Sequence, residues 1–289
     1  MIRETSQVKI ALPKGRMHDG VMGLLADAGV QVRTSNRGYR PVLSMANFEA
    51  KILKPQNIIE MLSLGSRDMG FAGADWVAEL GVDLVELLDT GLEPVKLVAA
   101  ASAELLEDGA LPRRRLVIAS EFENLTRKWI GEIGIDATFV RSYGATEVFP
   151  PEDADCIVDL VSSGATLRAN NLLEVGELMR SSTRLYASPA AMRDPHKREA
   201  MEGLAMVLRS VLEARGRVML EINVPADKLE SVIKILPCMR EPTMSPLHGG
   251  AGYAVKAAVP REKLPSLVPE VKRRGGTDIV VTKLSQIVP

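Results

Sequence analysis

Between residues 8 and 187 the chain repeats one pattern: a short, largely apolar run, then a stretch whose apolar residues recur at helical spacing. A run that is apolar throughout needs cover on both faces, which parallel strands flanked by helices provide. Residues 8–12, 69–71, 96–101, 116–120, 137–140, 155–160 and 185–187 read as such strands. Residues 17–28 place Val21, Leu24, Leu25 and Ala28 on one face and stop at Gly29, a helix with a glycine stop signal. Residues 55–64 open on Pro55 and end at Gly65, and a first-turn proline is tolerated. Residues 125–133 follow Asn124, a good N-cap. Strand–helix alternation of this kind predicts an α/β fold. Residues 194–215 read as one long helix that can also act as a connector.

The rhythm changes after Gly216. A strand over 218–224, a helix over 226–235, an extended turn over 237–246, a strand over 253–259, a helix over 261–274 and a strand over 278–284 follow. The order β-α-(β)-β-α-β fits a ferredoxin-like sandwich. An internal echo supports it: Val224-Pro225-Ala226-Asp227-Lys228-Leu229-Glu230-Ser231 resembles Val259-Pro260-Arg261-Glu262-Lys263-Leu264-Pro265-Ser266. In each, a strand ends at a proline and a helix begins with an acid near its positive end. Pro265 and Pro269 both fall in the second of these helices. An interior proline costs about 3 kcal/mol, so that helix is expected to start late or bend at Pro269.

Bulk properties exclude several classes. A length of 289 residues predicts two or three compact units. An apolar fraction of 46% is too high for a disordered chain. A net charge of −1 argues against a nucleic-acid partner, while leaving room for a local basic pocket. The two cysteines, Cys156 and Cys238, and three histidines show no metal-type spacing. Cys156 lies in an apolar run and reads as a core thiol. The start Met1-Ile2-Arg3-Glu4-Thr5-Ser6-Gln7 has no apolar segment, so no signal peptide is expected. No stretch approaches the roughly 18 apolar residues of a membrane helix. The expectation is a soluble, cytoplasmic protein with reduced thiols and no membrane partner.

The sharpest local feature lies where the apolar strand ending at Asp159 and Leu160 runs into Val161-Ser162-Ser163-Gly164-Ala165-Thr166-Leu167. Small residues let backbone N–H groups close round an anion, and Gly164 permits unusual dihedrals. A following helix start adds positive potential for a phosphate. Asp159 sits at the strand's carboxyl end, where open α/β sheets bind ligands. An acid repels a phosphate, so Asp159 suits sugar hydroxyls or a Mg2+ shell. A strand–turn–helix with a capping aspartate is the plain alternative. Pro13-Lys14-Gly15-Arg16 follows the first strand. Its two cations suit a pyrophosphate or triphosphate, or are simply a solvated turn. Gly73-Ala74-Asp75, Lys54 before a proline-led helix, and Tyr143-Gly144-Ala145-Thr146-Glu147 are weaker candidates, each alone better read as structural than functional. His18, His196 and His248 form no triad or metal pattern, and no G-x-S-x-G, H-E-x-x-H or P-loop occurs.

Taken together these blocks resemble the ATP phosphoribosyltransferase family. The most specific match is Asp155-Cys156-Ile157-Val158-Asp159-Leu160-Val161-Ser162-Ser163-Gly164-Ala165-Thr166-Leu167-Arg168-Ala169-Asn170-Asn171-Leu172. Pro13-Lys14-Gly15-Arg16, Gly144-Ala145-Thr146-Glu147-Val148 and Gly70-Phe71-Ala72-Gly73-Ala74-Asp75 are similar to other family blocks. The tail Leu236-Pro237-Cys238-Met239-Arg240-Glu241-Pro242-Thr243-Met244-Ser245-Pro246-Leu247 resembles the regulatory domain of the family's long form. Lys54 stands where the family often has arginine, Cys238 where glycine is usual, and Tyr253 where tryptophan is common.

The resemblance implies a two-lobed, periplasmic-binding-protein-like catalytic part and a ferredoxin-like regulatory domain. It places one lobe at 1–95 with 184–214, the second at 96–183 and the regulatory domain at 215–289. It implies ATP and phosphoribosyl pyrophosphate as substrates, Mg2+ as cofactor, histidine as inhibitor, and dimers assembling into hexamers. Asp159, Glu147 and Arg16 are then the catalytic candidates. Asp155, Asp159, Ser162, Ser163, Gly164, Ala165, Thr166 and Leu167 are candidates for the phosphoribosyl group. Lys14, Arg16, Lys54, Gly73 and Asp75 are candidates for nucleotide or pyrophosphate, and Asp159 or Glu147 for the metal. Glu221, Met239, Thr243 and Asp278 are candidates for the effector. A non-catalytic solute-binding protein of the same fold is one rival. Another is a phosphoribosyltransferase with a different acceptor, although such enzymes usually carry adjacent acids. Here Asp155 and Asp159 are four apart and project to one face of a strand.

Overall fold

The computed structural model describes residues 7–34 and 38–288. The signal-peptide reading therefore lies outside the described residues, Gln7 excepted. The chain divides into two compact units, Met1–Ala26 with Val30–Ala205, and Asp27–Gly29 with Met206–Pro289.

The first unit contains β1 (Val8–Pro13), α1 (His18–Asp27), β2 (Val32–Arg33), β3 (Val42–Leu43), β4 (Phe48–Leu53), α2 (Pro55–Ser63), β5 (Met69–Gly73) and α3 (Ala74–Leu80). It continues through β6 (Val85–Ser102), β7 (Leu116–Ser120), α4 (Glu123–Ile133), β8 (Ala137–Arg141), β9 (Cys156–Val161), α5 (Ala165–Ala169), β10 (Leu172–Ala187), α6 (Pro189–Met192) and the start of α7 (Pro195–Arg215). An eight-stranded sheet runs β4-β1-β5-β10-β6-β9-β7-β8. Its strands β4, β1 and β5 are parallel, as are β9, β7 and β8. Between these triplets β6 and β10 pair antiparallel to each other, and to β9 and β5 respectively. Each triplet with its helices is one lobe, and the long β6–β10 ribbon belongs to both.

The apolar runs are buried as their composition requires: Ile10, Leu12, Phe71, Leu97, Leu116, Ile118 and Val158 have no solvent exposure. Each such side chain stabilises by about 1.5–3 kcal/mol relative to an exposed one. Cys156 is fully buried, and burial pushes its thiol up to about 12, as a core thiol requires.

Several expectations change. The strands expected at 96–101 and 185–187 are the apolar ends of β6 and β10, which extend over Val85–Ser102 and Leu172–Ala187. Glycines, a proline and charges hide the remainder. Across the pair Lys96 bonds Glu177 at 3.1 Å and Arg184 bonds Glu86 at 2.8 Å, and register shifts absorb the irregular residues. The strand β4 had no counterpart among the expected strands. Asn124 is not the N-cap of α4, which starts at Glu123 with Phe122 in the cap position. Asp194, by contrast, is a cap: its Oδ1 accepts the His196 N–H at 2.9 Å ahead of α7.

The second unit holds β11 (Arg217–Val224), α8 (Leu229–Ile233), β12 (Thr243–Pro246), β13 (Tyr253–Pro260), α9 (Leu264–Arg273) and β14 (Thr277–Lys283). Its sheet order β12-β13-β11-β14 is that of the ferredoxin-like βαββαβ sandwich. Val218, Leu220, Ile222 and Val224 on β11 alternate into one core with Val255, Ala257 and Val259 of β13 and with Val232, Leu267 and Val271 of the helices. The turn expected at 237–246 contains the edge strand β12. Both echo segments enter their helices through 3-10 turns, Ala226–Lys228 and Arg261–Lys263. That late start puts Pro265 in the first turn of α9, while Pro269 stays inside the helix.

Gly252 precedes β13 with φ +123°, and a Cβ there would stand 2.3 Å from the Val224 carbonyl oxygen. Gly252→Ala is therefore expected to cost the second unit about 2 kcal/mol or more. A lower urea midpoint for the far-ultraviolet transition checks this, and an unchanged midpoint contradicts it.

Candidate active site

The strand β9 delivers Asp159 to the carboxyl end of its lobe. Its partner β7 runs parallel with Ser120 opposite Val158, so the next residues, Glu121 and Asp159, emerge side by side. Beyond Val161 the chain turns through Ser162 and Ser163 to Gly164, whose φ of +71° caps α5. The Ala165 N–H donates to Ser163 Oγ at 3.4 Å. Helix α5 has five residues, too few for a strong macrodipole. Loop amides and hydroxyls are therefore the main anion donors.

These residues line a cavity of about 340 Å³ that contains Arg16, Glu147, Asp159 and the 160–167 turn. Arg16 arrives from the turn after β1, in the other lobe. Glu147 arrives on a 3-10 turn, Thr146–Val148, entered through Ala145 at φ +50°. That loop is pinned by the buried Ser142 and Thr146 hydroxyls, 2.8 Å apart. A non-glycine residue held at positive φ is strain of the kind that clusters at functional sites.

Burial first, and then the nearby Glu147 and Glu121 carboxylates, push the Asp159 carboxyl up to about 6, against the Leu160 N–H that donates to it at 2.7 Å. Asp75 is fully enclosed on α3. Burial raises its carboxyl, while Ser181, the Trp76 N–H and the charge of Arg16 oppose the rise.

Of the residues singled out from the sequence, Arg16, Glu147, Asp159, Ser162, Ser163, Gly164, Ala165, Thr166 and Leu167 meet at this cavity. Leu167 contributes backbone, since its side chain is in the core. Asp155 does not join them. It lies before the first residue of β9, at the opposite end from the loop, and both its oxygens are engaged. Arg114 Nη2 donates to one at 2.7 Å and the Val117 N–H to the other at 2.7 Å. Burial alone would raise this carboxyl, but those donors outweigh it and hold it low. Spacing that puts two acids on one face of a strand also puts them at its two ends. Lys14 diverges from Arg16 across Gly15 into a second cavity of about 480 Å³ with Tyr39, whose hydroxyl accepts from its Nζ at 3.1 Å. Lys54 is the N-cap residue of α2 and lines neither cavity, and Gly73 is the N-cap of α3. Glu121 escaped the sequence reading. Its signal was its place one residue past a strand's carboxyl end.

In the second unit, Met239 and Thr243 line a cavity of about 330 Å³ with Cys238, Arg240 and Lys256. Glu221 is not in that lining but pairs with Lys256 at 3.0 Å. Asp278 is not brought to it. It lies on β14, at the sheet edge opposite β12, and accepts from Asn223 Nδ2 at 3.1 Å.

Fold and site together define a two-lobed α/β protein in which an acid near a strand end shares a cavity with a turn of small residues. Residues 54–210 match the HisG family, ATP phosphoribosyltransferase, and residues 214–286 match the HisG C-terminal domain. The chain is 33% identical over 293 residues to the ATP phosphoribosyltransferase of Chlorobium chlorochromatii (strain CaD3), spanning 100% of both chains. It is 34% identical over 290 residues to that of Desulforudis audaxviator (strain MP104C), spanning 98% of this chain and 100% of the relative. Among solved structures, an ATP phosphoribosyl transferase (HisG:HisZ) complex from Thermotoga maritima superposes with a TM-score of 0.64 at 25% identity, over 72% of this chain and 99% of that one. The chain belongs to the ATP phosphoribosyltransferase family of histidine biosynthesis, in the long form that carries a C-terminal regulatory domain. Among the described residues no helix is long and apolar enough to cross a membrane.

The raised Asp159 carboxyl sets a sign for stability. A folded-state value of about 6 against an ordinary 3.8 means that the folded chain binds the proton more tightly. The charged form therefore weakens the fold as pH rises from about 4 to about 6. Asp159→Asn removes that charge and is expected to raise the thermal midpoint at pH 7.5, with the difference fading toward pH 4. Equal midpoints at both pH values would contradict the assignment.

Proposed function

We propose that this enzyme transfers the phosphoribosyl group of phosphoribosyl pyrophosphate to N1 of the adenine of ATP and releases pyrophosphate. The reading rests on one observation: Arg16 from one lobe meets Glu147, Asp159 and the 162–167 turn of the other at a single cavity. The sugar's 5-phosphate takes the turn, where amides and the Ser162, Ser163 and Thr166 hydroxyls donate. The neutral N1 lone pair attacks the anomeric carbon as the bond to pyrophosphate breaks with its electron pair. That carbon gains positive charge, and the Asp159 carboxylate, ionised above pH 6, accepts from the ribose hydroxyls and stabilises it. Arg16 faces pyrophosphate or the ATP phosphates, while Lys14, in the adjoining cavity beside Tyr39, is a further candidate for a phosphate that reaches there.

Among the described residues no group of three or more His, Cys, Asp or Glu side chains forms a metal cage. The oxygen donors Asp159 or Glu147 would suit a Mg2+ held by one or two carboxylates and the substrate's phosphates, where it would supply charge neutralisation of the leaving pyrophosphate.

Residues 1–95 with 184–214 and residues 96–183 are assigned to the two catalytic lobes, and 215–289 to regulation. Histidine is the assigned inhibitor at the Met239–Thr243 cavity, with Glu221 a further candidate for its ammonium. The assembly is dimers forming hexamers in the cytoplasm. Inhibition requires the effector to favour one conformational or assembly state over another.

Pyrophosphate release from ATP and phosphoribosyl pyrophosphate tests the reaction, and a wild-type chain that binds the phosphoribosyl donor without turnover contradicts it. Asp159→Ala is expected to lower kcat by about 10²-fold or more without altering the oligomer on size exclusion. Thr243→Ala is expected to weaken histidine inhibition roughly tenfold with the basal rate little changed. Unaltered inhibition places the effector elsewhere.

A further inference from the structure

Helix α3 carries two acids one turn apart, Asp75 and Glu79, and both are buried, at 1% and 4% exposure. Residues at i and i+4 share a helix face, so this face holds two carboxylates out of water. Asp75 Oδ1 accepts the Trp76 N–H at 2.7 Å. Glu79 looks forward to α4 in the other lobe. Its Oε1 accepts the Asn124 N–H at 3.0 Å and its Oε2 the Leu125 N–H at 3.0 Å, while Asn124 Nδ2 donates to the Glu79 carbonyl at 2.8 Å. The ring of Trp76, also on α3, packs on Phe122 with centroids 4.8 Å apart.

A local side chain is the ordinary cap for such a helix start. Here Phe122 occupies the cap position and provides none, and a carboxylate from the opposite lobe takes over. Phe122 is committed to the core, and enclosing the Glu79 carboxylate is costly unless it is well hydrogen-bonded, a need that the two α4 amides meet. What the cross-lobe cap adds is a fixed spacing. The Phe122 N–H donates to Ser120 Oγ at 2.9 Å, and Ser120 Oγ donates to the Val158 carbonyl at 2.6 Å, one residue before Asp159. Arg16 follows β1, which pairs with β5, and β5 runs directly into α3; from α3 the contacts run through Glu79 and Trp76 to the turn that presents Glu121 and the strand that presents Asp159.

We propose that Glu79 is a positioning residue: it locks the turn at the head of α4 to helix α3 and so sets the spacing between Arg16 and Asp159 across the cleft. The proposal rests on the reading that those two groups carry the reaction. Glu79 touches no substrate. The phosphate turn at 162–167 hangs from one lobe only and does not depend on the lock.

The test uses the whole chain with Glu79→Ala and Glu79→Gln, assayed well below their thermal midpoints, and ribose 5-phosphate as a calorimetric probe of the phosphate turn. Misplacement of reacting groups by about an ångström is costly, so Glu79→Ala is expected to lower kcat about tenfold or more while ribose 5-phosphate affinity stays within about twofold. Glu79→Gln keeps one acceptor oxygen and should fall between Glu79→Ala and wild type. Where Glu79→Ala fails to fold by circular dichroism, Glu79→Gln decides by the same comparison. A lower thermal midpoint with unchanged kcat reduces Glu79 to a helix cap and overturns the proposal. So does a ribose 5-phosphate affinity that falls in step with kcat, because the damage is then general. A wild-type chain inactive on ATP and phosphoribosyl pyrophosphate removes the functional reading itself, whereas active wild type with equally active variants removes only the role of Glu79.

Discussion

Everything in the first unit hangs on the pairing of β6 with β10. Thirteen aligned residue pairs join these two strands, and each parallel triplet attaches to one side of them. Parallel strands need cover on both faces and crossover helices to connect them. In this chain the two triplets are joined by an antiparallel seam. The seam places the carboxyl end of β9 and the turn after β1 in position to share a cavity, although they belong to different lobes.

The cavity carries the cost of its chemistry in electrostatics. Asp159 is taken from water and faces Glu147 and Glu121, an arrangement that weakens the fold for as long as the group is ionised. In the proposed reaction a cationic anomeric carbon or a substrate-borne metal ion would relieve that repulsion, more strongly than in water because competing solvent would be displaced. The 162–167 turn, as proposed, would work on the opposite principle: short side chains and backbone amides answering one anion with many weak dipoles.

What was legible in the sequence was local. The run into Asp159 and the small residues after it lie within one short segment, and the structure builds them as read. The ferredoxin-like unit was equally plain, because β11 alternates strictly between core and surface. The two crossing strands were only half visible. Their outer parts are interrupted by Gly91, Pro94 and Gly176 and by charges that find partners only across the seam. Asp155 was misplaced for a related reason, since spacing along a strand gives the face and not the end. Glu121 and Glu79 were silent because their meaning depends on strand order: one acts beside β9, the other on a helix from the far lobe.

The two thiols are chemically unequal. Cys156 is sealed in the first unit and protonated up to about pH 12, while Cys238 lies partly open in the second. Thiolate is the reactive form, and reaction also needs access. A soft alkylating reagent therefore sees the native protein as having one cysteine. The chain carries its own addressable label in the second unit, and a silent reporter in the first that answers only when the core holding it opens.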